Sequence, residues 1–162
     1  MPTQEDESKD PDLLSVLKDG IKIRFGKPGN VFLGLVHRLD RPVGGVMVFA
    51  KTSKAASRLS DAVRTRSFNK TYTAVVRGKL QGSRGRLTDC LLKKNEKTNT
   101  VTVVDKAHPG AKEAVLDYEV LAESDGLSLV RIHLHTGRPH QIRVQLAHQG
   151  CPLYGDQKYG HP

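Results

Sequence analysis

In the stretch His37-Arg38-Leu39-Asp40-Arg41-Pro42-Val43-Gly44-Gly45 one carboxylate stands between two arginines, and the apolar run Val46-Met47-Val48-Phe49-Ala50 follows. The proline and the glycine pair force a tight loop, so the order predicts a loop-borne acid at the entrance of a strand. An opposite charge within about 4–6 Å favours the ionised form of a carboxyl group. Flanked by Arg38 and Arg41, Asp40 therefore suits a nucleophile or a base better than a proton donor. The same spacing also fits an aspartate that caps a turn or pairs with an arginine at the surface.

Other groupings carry less. His133 and His135 fall on one strand face, as at the start of a metal site, but no third ligand is fixed nearby and no metal is expected. Gly82-x-x-Gly85 lacks the lysine and hydroxyl of a nucleotide-binding loop, and no serine or cysteine stands in a nucleophile elbow. Cys90 and Cys151, far apart and in no metal spacing, read as ordinary thiols of a reducing compartment.

Charge is segregated along the chain. The 162 residues carry a formal net charge of +9, yet residues 1–19 hold six acids against Lys9 and Lys18, leaving +13 on the remainder. Between Lys51 and Arg86 ten basic residues meet one acid, Asp61. Such a block favours a phosphate backbone. Four tyrosines, four phenylalanines and no tryptophan argue against a binder that works by repeated base stacking. No apolar run approaches the roughly 18 residues of a membrane span, and the acidic start is unlike a leader peptide, so a cytoplasmic protein is expected. An organellar one would follow if a targeting segment preceded this sequence.

The elements that must position Asp40 are legible in outline. Residues 1–9 read as a disordered acidic tail, and 10–162 as a single domain. Asp10-Pro11 reads as an N-cap and first-turn proline, and Leu13, Leu14, Leu17 and Ile21 predict a helix over about 11–25. A strand is expected at 45–51, then a helix capped by Ser53 with Ala55, Ala56, Leu59, Ala62 and Val63 inward and Lys54, Arg58, Arg64 and Arg66 outward. Lys70–Arg77 alternates as a strand, with Tyr72, Ala74 and Val76 on one face; Tyr72 is either a core residue or an active-site aromatic. Strands follow at about 86–93, 99–105, 112–122 and 127–135, with hairpin connections at 94–97 and 124–126. Pro139 opens a third helix that ends near Gly150. Three helices against a mixed, mainly antiparallel sheet is an α+β domain.

Three ordered stretches carry a resemblance. His37-Arg38-Leu39-Asp40, then Lys70-Thr71-Tyr72 in the strand ending at Gly78, then Thr136-Gly137-Arg138-Pro139-His140-Gln141-Ile142-Arg143 with Gly155-Asp156-Gln157-Lys158-Tyr159-Gly160, are similar to the motifs of the RluA-type RNA pseudouridine synthases. They span roughly residues 30–160, and the resemblance implies that 10–162 is a catalytic domain incomplete at both ends. Val43-Gly44-Gly45 departs from the threonine-serine-glycine that many members carry after the first motif.

The resemblance implies a pseudouridine synthase fold and isomerisation of uridine to pseudouridine in ribosomal or transfer RNA, with no cofactor, by a monomer. It makes Asp40 the reacting carboxylate, Tyr72 the aromatic against the flipped uracil and Arg143 the cation that keeps Asp40 ionised. His37, Arg38, Arg41, Lys70, Arg138, His140 and Gln141 become RNA contacts. An idle RNA-binding or assembly factor that keeps the fold and, more remotely, a base-removing glycosylase are the competing expectations.

Overall fold

The computed structural model describes residues 1–5, 9–40, 43–95 and 99–160, and the chain divides into two compact units, Met1–Phe68 and Asn69–Pro162.

The first unit holds helix α1 (Leu13–Arg24), the two-residue strands β1 (Gly34–Leu35) and β2 (Phe49–Ala50), and helix α2 (Ser53–Arg64). Asp12, not Asp10, caps α1, accepting from Ser15 N at 3.0 Å, because Pro11 leaves the next residue to begin the turn. The stretch expected to be a tail supplies two carbonyls to that first turn: Leu13 N and Leu14 N donate to Pro2 and Thr3. Thr52, one residue ahead of the expected Ser53, caps α2 through Ala55 N. The inward residues of α2 are half-buried, while Lys54, Arg58 and Arg64 are exposed; Arg66 lies beyond the helix end. The strand expected at 45–51 shrinks to Phe49–Ala50, because its antiparallel partner β1 offers only Gly34 and Leu35.

The second unit is a five-stranded antiparallel sheet in the order β3-β7-β6-β4-β5, with β3 (Lys70–Arg77), β4 (Arg84–Asn95), β5 (Thr100–Val104), β6 (Lys112–Ser124) and β7 (Leu127–Leu134). Helix α3 (Gln141–His148) packs on one face; Pro139 precedes it by two residues instead of opening it. Strict alternation sends Tyr72, Ala74 and Val76 of β3 toward that helix, with Leu116 and Tyr118 of β6, Val130 and Ile132 of β7 and Leu146 of α3. A second cluster joins Leu91, Val101, Ala114 and Val144. Each fully buried leucine or isoleucine here contributes about 1.5–3 kcal/mol of transfer free energy.

Gly85 is required by packing: a Cβ there would lie 2.6 Å from the ring of Tyr118, whose hydroxyl donates to Gln81 O at 2.6 Å. The opposite face of the sheet is charged and solvated. Arg84 and Arg131 pair with Glu119, and Arg86 and His135 with Asp117. The outer edge of β3 is covered by later chain, since Arg77 N donates to Pro152 O at 2.9 Å and Tyr154 N to Val75 O at 2.8 Å.

Candidate active site

In the first unit the loop between Leu35 and Phe49 carries Asp40. Two short strands alone would hold it weakly, but His37 adds a rung: Val48 N donates to His37 Nε2 at 3.0 Å. Nε2 is therefore the unprotonated nitrogen, and the imidazole ring rests against Phe68 at 5.6 Å. His37 thus clasps the base of the loop. Asp40 is half-buried and lines a cavity of about 280 Å³ with Leu39, Gly44 and Met47 on the loop side and Pro2 and Leu13 opposite. Leu39 O also accepts from Thr3 Oγ1 at 3.4 Å. Arg38 is exposed, and Arg41 lies outside the described residues.

In the second unit β3 and α3 present the other candidates. Tyr72 is half-buried at the margin of the main apolar cluster. Lys70 opens the same strand and lies against Gly137: a Cβ at Gly137 would come within 3.1 Å of Lys70 Nζ. Glycine in the Thr136-Gly137-Arg138 turn is what admits the ammonium group.

That turn is held from inside by Gln141, which the motif resemblance made an RNA contact. Its side chain is 3% exposed, its Oε1 accepts from Thr136 Oγ1 and Arg138 N, and its Nε2 donates to Val115 O. A buried amide bonded at both its oxygen and its nitrogen organises the turn. Arg138 is half-buried and donates from Nε to Glu113 O at 2.8 Å. His140, in the left-handed region at φ 50°, bonds through Nδ1 to the Tyr159 hydroxyl at 2.7 Å, and that hydroxyl accepts from Val101 N at 3.0 Å.

Arg143, on the first turn of α3, meets a carboxylate to which the sequence reading assigned no role. Its Nε and Nη2 donate to Asp156 Oδ2 and Oδ1 at 2.7 and 2.6 Å, and its guanidinium carbon lies 5.1 Å from the centre of the Tyr159 ring. The guanidinium, with the Lys158 and Tyr159 amides, outweighs burial and lowers the Asp156 pKa to about 2. Only the Gly155–Gly160 motif could have drawn attention to Asp156, since a separation of 13 residues from Arg143 has no periodic signature. His133 and His135 stack edge to face at 4.9 Å, and His135 Nε2 faces Asp117 Oδ2 at 2.7 Å.

Residues 3–148 match the family described as RNA pseudouridylate synthase. The chain is 38% identical over 127 residues to a ribosomal large subunit pseudouridine synthase D of Yersinia pestis, covering 78% of this chain and 38% of that one. It is 39% identical over 134 residues to an uncharacterized RNA pseudouridine synthase of Bacillus subtilis, covering 77% and 41%. Among solved structures, human RNA pseudouridylate synthase domain containing 4 is similar with a TM-score of 0.83 at 28% identity, over 99% of this chain and 62% of that one. The chain spans about two fifths of the length of these curated relatives.

Proposed function

The chain belongs to the RNA pseudouridylate synthase family, and we propose that it isomerises uridine to pseudouridine in an RNA, with Asp40 as the reacting carboxylate. The observation that carries this reading is the placement of Asp40: half-buried at a cavity, on a loop clasped by His37. Carboxylates enclosed in clefts concentrate at functional sites.

The reaction breaks the N1–C1′ bond, turns the uracil in place and joins its C5 to the same C1′. A proton leaves C5 and one is gained at N1, so composition is unchanged and no redox partner enters. Hydrolytic glycosidases need two carboxyl groups, one to protonate a leaving oxygen and one to attack or to activate water. A single carboxylate suffices here because the departing uracil is a delocalised anion that is captured again. The ionised acid acts either by attack on C1′ or by removal of a sugar proton. The motif resemblance assigns Tyr72 to the uracil and Arg143 to the charge of the reacting acid. A uridine within folded RNA must first be flipped out at a cost of a few kcal/mol, which phosphate contacts offset. Lys70, Arg38 and the exposed basic face of α2 are suited to those contacts. The names of the relatives make large-subunit ribosomal RNA the first substrate to test.

The test is tritium release from RNA labelled at uracil C5. Asp40→Asn should lower release at least about a thousandfold, equivalent to about 4 kcal/mol of barrier, while RNA affinity stays within about threefold. Retained turnover in that variant would remove Asp40 from the reaction, and free uracil as product would indicate base removal in place of isomerisation.

A further inference from the structure

Every oxygen of the Asp156 carboxylate is committed. Oδ1 accepts from Arg143 Nη2 at 2.6 Å, Lys158 N at 2.9 Å and Tyr159 N at 3.2 Å, and Oδ2 accepts from Arg143 Nε at 2.7 Å. The side chain is 3% exposed, and that of Arg143 20%, whereas the arginines of the sheet's charged face are more than half exposed. Tyr159 covers the guanidinium from the side, and the Tyr159 ring is itself fixed through its hydroxyl by Val101 N and His140. Tying the Gly155–Gly160 turn to α3 would need only one hydrogen bond. An edge-on bidentate pair combined with a ring against the guanidinium fixes both its plane and its direction, which is what a rigid planar fork makes possible and a lysine does not.

We infer that Asp156 is a positioning residue for the reaction: with Tyr159 it locks the Nε–Nη2 edge of Arg143, so that the Nη1 end of the fork is presented in one orientation. The inference rests on the reading that places Arg143 at the active site. A supporting shell of this kind holds a reacting constellation to within about 0.5 Å. Misplacement by about 1 Å can cost about a hundredfold in rate.

The experiment measures single-turnover tritium release and RNA Kd separately on the full chain. Asp156→Asn should lower the rate about tenfold to a hundredfold with Kd within about threefold, and Asp156→Glu should recover part of the loss. Arg143→Lys cannot form the bidentate pair, so adding Asp156→Asn in that background should cost less than about threefold more. A rate above half of the unaltered protein for Asp156→Asn, with Arg143→Ala inactive, would overturn the inference and leave the reading of Arg143 intact. The same loss from Asp156→Asn in both backgrounds would also overturn it, making Asp156 a support of the fold. Full activity in Arg143→Ala would instead defeat the reading of Arg143, and the inference with it. Should Asp156→Asn fail to fold, the unaltered chain decides: the Arg143 Nε–H proton is expected to exchange slowly with solvent, and rapid exchange would overturn the inference.

Discussion

Between Met1 and Phe68 the described residues that leave solvent almost entirely are Pro2, Asp12, Leu33 and Ala50, whereas Asn69–Pro162 closes two apolar clusters between a five-stranded sheet and α3. Asp40 belongs to the first region and hangs from two ladder pairs and one imidazole; Tyr72 and Arg143 belong to the second and are rooted in a strand and a helix. The acid is thus on the part of the chain that opens most easily, and the groups assigned to charge and stacking are on the part that opens last. Local stability follows buried apolar contact, so the first region is expected to open without loosening the second.

Three measurements would break or sharpen this contrast. The largest effect belongs to the core of the second unit: within the range of about 2–5 kcal/mol for a buried leucine cut to alanine, Leu146→Ala should fall at the upper end and Leu33→Ala in the first unit at the lower end, read by urea unfolding. Equal losses would erase the distinction. Next, His37→Ala leaves Val48 N–H without its acceptor. An unsatisfied, partly buried donor costs about 1–3 kcal/mol, and because that cost is local it should appear as about a tenfold fall in turnover and faster amide exchange at Val48, with β6 and β7 unchanged. Protection lost in β6 and β7 as well would mean that the clasp supports the whole molecule.

The smallest effect is acid sensitivity in the second unit. Asp156 has a folded pKa of about 2 against an ordinary value of 3.8. Its carboxylate is favoured in the folded state, so its contribution to stability is complete above about pH 4 and is withdrawn as the pH falls through about 2. Arg86 and His135 hold Asp117 well below the usual carboxylate range, with the same sign. Melting temperature followed from pH 5 to pH 2 should drop less steeply in Asp156→Asn, and an unchanged slope would refute the assignment.

The second unit was the more legible in sequence, for a physical reason. Alternation over Lys70–Arg77 and the turn at Asp125-Gly126 are local signals, and the structure follows both. The first unit depends on pairings too short to leave a pattern: Gly34–Leu35 carries no periodicity, and its brevity cut the expected strand at 45–51 to two residues. Both early caps slipped because neighbouring polar residues, Asp10 and Asp12 or Thr52 and Ser53, compete for one role that only backbone direction decides. At the candidate site the motif resemblance named Asp40, Tyr72 and Arg143. It assigned no role to Asp156, and gave no hint that the Gln141 amide closes a turn from within.

The covering of β3 by Pro152–Tyr154 has a consequence for how the protein is made. Strand β3 leaves the ribosome about 50 residues ahead of its sheet partner β7, and its other flank waits until Tyr154 has emerged. At about 5–20 residues per second that is several seconds during which a β-branched segment has both flanks unpaired. The nascent chain is then most exposed to association with its neighbours on a polysome; β7 closes one flank first, and the stretch after α3 closes the other.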